Sequence, residues 1–279
     1  MRQAIYFMVI SALSFTMMNL FVKYLVHFSA AQLIMFRSVG SLVFTMSFLH
    51  YKKIPMLGSK RTLLIARGLA GVTSMGLFFL AVPYLPIGTA VSLRYTSPIF
   101  AALLAVVFLR ERIASVQWSF FLLAFAGVLV IKGFDPDIHL VGLLLVLCSA
   151  LASGFVYILI NKIGHNDHPV VIVNYFMWIS FIVGGTFSIF YWTTPRGIEW
   201  LLLLSLGVFG YFGQLFMTKA FQSQVTNKVV SLKYIEVIST MLAGIVWFGD
   251  RYPVLSIMGT AMVILGLLLN ILYKTKKHT

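Results

Sequence analysis

The sequence predicts an all-α integral membrane protein with ten transmembrane helices arranged as two inverted five-helix repeats. Three observations carry that expectation. Hydrophobic residues make up 60 % of the 279 residues and charged residues only 10 %, where a soluble domain carries about 25 % charged residues. The chain divides into ten apolar runs, each near the roughly 20 residues needed to cross about 30 Å of hydrocarbon. A shift of 139 residues then brings polar positions of the two halves into register.

The runs cover residues 4–25, 30–50, 62–82, 87–109, 115–133, 139–162, 170–192, 198–221, 226–248 and 254–273. Seven prolines (55, 83, 86, 136, 169, 195 and 253) fall in or beside the connections, which leaves Pro98 alone within a span. The first run follows Arg2 as in a signal peptide. It is too long for one, however, and no A-x-A-like site precedes Lys23, so it is read as the first spanning helix. Tyr84, Trp118, Tyr191, Trp192, Trp200, Tyr252 and Tyr273 lie near span ends, as an interfacial aromatic belt requires.

The formal charge is +14, from 21 Lys and Arg against 7 Asp and Glu. In a spanning protein such an excess marks cytoplasmic loops rather than a nucleic-acid partner. With the N-terminus inside, twelve Lys and Arg fall on that side and four on the other, so both termini are expected in the cytoplasm. Residues 274–279, with Lys274, Lys276 and Lys277, form a basic cytoplasmic tail. The single cysteine, Cys148, can build neither an internal disulfide nor a metal cluster, and reads as a small buried hydrophobe.

The repeat rests on its polar matches. The stretch AVSLRYTSPIFAALLAVVFLRER from Ala90 aligns without a gap on VVSLKYIEVISTMLAGIVWFGDR from Val229. Arg94 falls on Lys233, Tyr95 on Tyr234, Ser92 on Ser231, and Glu111-Arg112 on Asp250-Arg251. Each repeat, 1–133 and 139–273, holds five spans. Because five is odd, the second copy enters the membrane inverted, which generates a pseudo-two-fold axis in the membrane plane.

On these residues the chain resembles the drug/metabolite transporter (DMT) superfamily, in particular proteins with two tandem EamA repeats, over residues 4–273. The resemblance implies ten helices, cytoplasmic termini, and a central cavity lined from both halves. It further implies fifth and tenth helices that lie away from the cavity and can form a homodimer, and a bacterial inner (plasma) membrane location.

Charged side chains inside a bilayer are costly and tend to face a cavity or a partner. Arg94 lies about 10 Å inside one end of the fourth span and Lys233 about 10 Å inside the opposite end of the ninth, at 1.5 Å per residue. These two are expected to bind an anionic group of a substrate, with Arg37 at nearly the depth of Arg94. Tyr95, Tyr234, Ser92 and Ser231 are candidate substrate contacts beside them. Arg67 and Lys219 sit nearer a membrane face, and the expectation is that both snorkel to water. Glu236, the acid within a span, is either a neutralising partner for Lys233 or Arg94 or a proton-coupling site. Pro98 is a candidate hinge. Gly68 and Gly71, and Gly207, Gly210 and Gly213, form stripes suited to close helix packing.

No P-loop, H-E-x-x-H or G-x-S-x-G signature occurs, and the pair His165 and His168 with Asp167 reads as a solvated loop. The expectation is a secondary transporter (exporter, exchanger or facilitator) with no cofactor and no metal. It would move a small anionic or zwitterionic metabolite, carrying carboxylate or phosphate, by alternating access, with a proton or other ion as a possible partner. A lipid-translocating protein or a membrane-embedded enzyme using the same cavity is the alternative.

Overall fold

The computed structural model describes residues 2–109, 114–134, 139–222 and 234–276. Those residues form eleven α-helices: α1 (Arg2–Tyr24), α2 (Ala30–Tyr51), α3 (Arg61–Ala81), α4 (Ile87–Arg94), α5 (Ser97–Leu109), α6 (Ser115–Phe134), α7 (Leu140–Ile163), α8 (Pro169–Ser188), α9 (Glu199–Gln222), α10 (Tyr234–Phe248) and α11 (Val254–Lys276). Seven helical stretches are long and apolar enough to cross a membrane, with α4 and α5 together making one of them. Shorter apolar helices cover Ser115–Ile131, Tyr234–Phe248 and Val254–Asn270. The protein is an integral membrane protein. Large apolar side chains such as Leu122, Phe125 and Leu129 on α6 and Ile182 on α8 point outward, as lipid contact demands. Cys148 also lies on the outer surface of α7 rather than in the core expected for it.

The fourth span is broken rather than merely kinked. Pro98 has no N–H to return to the Arg94 carbonyl four residues back, so the ladder cannot run through. The chain closes two tight bonds instead, from Tyr95 N–H to Ser92 O (3.1 Å) and Thr96 N–H to Leu93 O (3.1 Å). It then restarts at Ser97, with Pro98 in the first turn, where a missing N–H costs nothing.

Extensive helix packing runs between the two halves: α6 against α11, α2 against α8, α3 against α7, and α1 against α9. Glycines permit the closest approaches. A Cβ on Gly207 would lie 2.4 Å from the Gly40 Cα, and one on Gly127 would lie 2.5 Å from the Gly259 carbonyl oxygen. The glycine faces of α6 and α11, which hold the expected fifth and tenth runs, are thus turned on each other within one chain.

Loop acids from one half hold helix starts in the other. Asp250, of the repeated acid–Arg pair, accepts from the Ile87 N–H at the start of α4 (3.2 Å) and from the Tyr252 hydroxyl (3.2 Å), while that hydroxyl accepts from the Gly88 N–H (3.1 Å). An acid on the first N–H groups of a helix satisfies orphan donors and the positive end of the dipole. The matching Glu111-Arg112 lies outside the described residues. Asp250→Ala is expected to cost about 1 kcal/mol, rising to about 2 kcal/mol if the Tyr252 hydroxyl also swings away from α4, read as a lower melting temperature of the purified protein. An unchanged melting temperature would remove Asp250 as a cap.

Asp167 holds the segment that leads into α3. It is 5 % exposed and accepts from the Ser59 N–H (2.5 Å) and the Lys60 N–H (3.1 Å). Within that loop Asp167 is therefore a structural clasp, buried rather than solvated as expected, while His168 beside it stays exposed. His168 caps α8 with its Nδ1, which accepts from Val170 N–H at 3.2 Å. Partial burial and the nearby Lys219 ammonium hold its pKa below the usual histidine value.

Candidate functional site

At the centre of the bundle α1, α2, α3, α7, α8, α9, α10 and the α4–α5 break enclose a cavity of about 80 Å³. Three guanidiniums line it, from Arg37 on α2, Arg67 on α3 and Arg94 at the end of α4. Glu236 on α10 is the acid among the described lining residues. Tyr95, Ser97, Ser74, Ser153, Tyr157 and Gln214 add polar groups, and Phe15, Met18, Met75, Phe79, Phe176 and Met217 add apolar ones.

Each arginine is held against an aromatic ring. The Arg94 guanidinium carbon stands 4.5 Å from the centre of Phe78, and the Arg67 carbon 4.5 Å from Phe176. The Arg37 carbon lies 5.5 Å from that same Phe176 ring. Such contacts soften the burial of a cation without neutralising it. Arg37 is 3 % exposed, and its donors reach the thioethers of Met18 and Met75. Arg67 is 1 % exposed, and its Nε and Nη1 have no hydrogen-bond partner among the described residues.

Glycines make the room these side chains occupy. A Cβ on Gly210 would lie 2.7 Å from the Arg37 Nε, and one on Gly71 would lie 2.8 Å from the Phe176 ring and 3.5 Å from the Arg67 Nη1. Part of each glycine stripe therefore serves the cavity rather than helix contact alone.

Glu236 is tied down from two other spans. The Tyr95 hydroxyl donates to its Oε2 at 2.5 Å, and the Asn19 Nδ2 donates to its Oε1 at 3.1 Å. A hydroxyl cluster joins α3 to α7 beside it: Ser74 Oγ lies 2.6 Å from Ser153 Oγ and donates to the Ser149 carbonyl at 3.0 Å.

Of the expected site residues, Arg94, Arg37, Tyr95 and Glu236 come together in this cavity. Lys233 and Ser231 lie outside the described residues. Tyr234 packs its ring 5.7 Å from Tyr95, behind the lining. The Ser92 hydroxyl donates to the Gly88 carbonyl of its own helix at 2.7 Å, the back-bond to the carbonyl four residues earlier that a helical serine readily closes. Pro98 sits just past the break, next to the lining residue Ser97. Lys219 is half-buried, its Nζ 5.6 Å from the Phe7 ring and 5.5 Å from the Phe216 ring.

Arg67 corrects the sequence expectation. Nearness to a helix end predicts snorkelling to water, yet the side chain is folded inward and fully buried. The usable signal is its place four residues before Gly71, hence on the packed stripe of α3. Asn19, Phe176, Met18 and Met75 also belong to the site, and no sequence motif marks them.

The chain matches the EamA-like transporter family over residues 2–133 and 140–272 and belongs to that family. It is a membrane transporter and not an enzyme. Among curated relatives, it is 25 % identical over 290 residues to the pseudopaline exporter CntI of Pseudomonas aeruginosa (strain UCBPP-PA14), covering 99 % of this chain and 98 % of that protein. It is 26 % identical over 270 residues to human solute carrier family 35 member G1, covering 88 % and 72 %. Against the S-adenosylmethionine uptake transporter of Rickettsia prowazekii it is 26 % identical over 243 residues, covering 85 % and 81 %. A solved crystal structure matches 97 % of this chain and 96 % of its own at 16 % identity with a TM-score of 0.72, a likeness of fold.

Proposed function

We propose that this chain is a secondary transporter that carries a small organic metabolite with an anionic or zwitterionic group through the central cavity. The observation that carries the proposal is the convergence of Arg37, Arg67 and Arg94 on one buried space that contains a single described acid, Glu236. A planar guanidinium in a low-dielectric site suits carboxylate or phosphate. The pseudopaline exporter and the S-adenosylmethionine transporter among the relatives support a small metabolite as cargo.

Alternating access is supported by two features. The cavity, at about 80 Å³, is smaller than the roughly 300 Å³ at which ligand sites begin, so a metabolite enters only when helices part. The α4–α5 break is a ready joint, and it sets the positive end of the α5 dipole at Ser97, a lining residue. Ten spans in two inverted five-helix repeats, 1–133 and 139–273, fit the packing. Exchanging the first half for the second turns the α3–α7 contact into the α9–α1 contact and leaves α2–α8 and α6–α11 as self-pairs. The excess of basic residues on one side supports cytoplasmic termini, and the likeness to the Pseudomonas aeruginosa exporter supports a bacterial inner membrane.

The test is melting temperature in detergent against a panel of anionic, zwitterionic and cationic metabolites, with Arg94→Ala beside the unmodified protein. A ligand of the folded state at a hundredfold excess over its Kd stabilises by about 2.7 kcal/mol. An anionic or zwitterionic compound is expected to stabilise the unmodified protein and to lose at least tenfold in affinity with Arg94→Ala. Stabilisation by cations alone, or an unaltered response of the variant, would refute the substrate class.

A further inference from the structure

The three arginines are not equivalent. Arg94 is partly exposed and stacked on Phe78, whereas Arg37 and Arg67 are fully buried and share one ring, Phe176. A guanidinium carries five N–H donors and accepts nothing. Among the described residues Arg67 leaves Nε and Nη1 without an acceptor, and Arg37 offers two of its nitrogens only to thioethers, which accept weakly. Buried donors without partners are rare and expensive, more so when charged. Two cations on one ring also repel each other. Glu236 makes hydrogen bonds elsewhere, with Tyr95 and Asn19. Counting lining charges, three arginines against one glutamate leave an excess of two positive charges.

We propose that Arg37 and Arg67, braced on Phe176, form a paired-guanidinium subsite that takes the dianionic end of the substrate: two neighbouring carboxylates or one phosphate. The subsite deepens the transport reading above and rests on it. Each planar fork can bind one carboxylate or one edge of a phosphate bidentately, so two forks match both negative charges of a dianion, which one ammonium or one fork cannot. The absent side chains at Gly71 and Gly210 are part of the device, because a methyl at either would crowd the Phe176 ring or the Arg37 Nε. A monoanion satisfies one fork and leaves the other charge uncompensated.

The experiment measures the Kd of succinate, inorganic phosphate, acetate and choline on the purified full chain in neutral detergent at matched ionic strength. Unmodified protein is expected to bind succinate or phosphate at least tenfold more tightly than acetate. Preference for succinate assigns a dicarboxylate end, and preference for phosphate a phosphate end. Arg37→Gln and Arg67→Gln are each expected to weaken the dianion at least tenfold, to the level of acetate, and Arg67→Lys to recover only part of that loss. Because a variant can fail to fold, phenylglyoxal labelling of unmodified protein provides a second measurement. Peptides carrying Arg37 and Arg67 should be protected by the dianion and not by acetate. Equal binding of acetate and dianions, labelling unaffected by dianions, or full dianion affinity in Arg67→Gln overturns the subsite. If Arg94→Ala abolishes metabolite binding while Arg67→Gln changes nothing, the pair fails and the cavity stands. If metabolites bind regardless of all three arginines, the cavity reading fails and the pair fails with it.

Discussion

Replacing Gly207 with leucine is expected to remove most of the folded protein from the membrane fraction, while the same change at Gly185 leaves it intact. A Cβ on Gly207 would fall 2.4 Å from the Gly40 Cα and 2.9 Å from the Ser41 nitrogen, so it meets backbone on both counts. The Ser41 hydroxyl donates to the Gly207 carbonyl at 2.9 Å across the same contact. Between helices in lipid there is no hydrophobic drive, so van der Waals fit and such bonds hold the pair together. A single added methyl in a tight interface costs about 1–3 kcal/mol, and leucine adds three more heavy atoms. Gly185 has nothing within 4 Å of a built Cβ. Size-exclusion profiles and melting temperatures of Gly207→Leu, Gly207→Ala and Gly185→Leu check the expectation. Normal yield and melting of Gly207→Leu would mean that α2 and α9 do not meet as described. Gly207→Ala, where it folds, should also weaken anion binding, because Arg37 precedes Gly40 by one turn and rests on Gly210.

Glu236→Leu is the second large effect. It removes an acceptor from the Tyr95 hydroxyl and from the Asn19 amide, both buried, at about 1–3 kcal/mol each. It also takes the described acid from a cavity lined by three arginines. We expect a pronounced loss of thermal stability and no measurable uptake in proteoliposomes. Glu236→Gln separates the two effects. Its carbonyl still accepts from Tyr95, and rotation of the Asn19 side chain, whose Oδ1 has no partner among the described residues, offers an acceptor to the new amide. The glutamine variant should therefore keep most of its stability while uptake of a zwitterion falls. If Glu236→Leu melts within a degree of the unmodified protein, the contacts to Tyr95 and Asn19 contribute nothing.

The bilayer character, the seven membrane-length apolar helices and the tandem repeat are legible because they depend on composition, run length and polar matches, all linear properties. Arg94, Arg37, Tyr95 and Glu236 are legible as lining of one central cavity for a related reason: a charge or polar group at depth in a membrane has few places to go. Depth along a helix, however, says nothing about azimuth. That is why Arg67 turns inward against expectation and why Ser92 faces its own helix. Asp250 and Asp167 read as loop residues, since nothing local shows that they reach helix starts in the other half. The Pro98 position is visible, but a full break needs the added local bonds at Tyr95 and Thr96.

Nearly every large helix contact among the described residues joins residues 2–133 to residues 140–272, and this has a consequence for how the chain is made. The first segment leaves the ribosome well before its partners do, by about 7–28 s at about 5–20 residues per second. During that interval Gly40 and Gly127 have no backbone to pack on, and the Arg37 and Arg67 charges have no assembled enclosure. The newborn half must wait in the company of insertion machinery or lipid headgroups until its second half arrives. Synonymous changes that slow translation near residue 139 should then lower yield without altering a single amino acid.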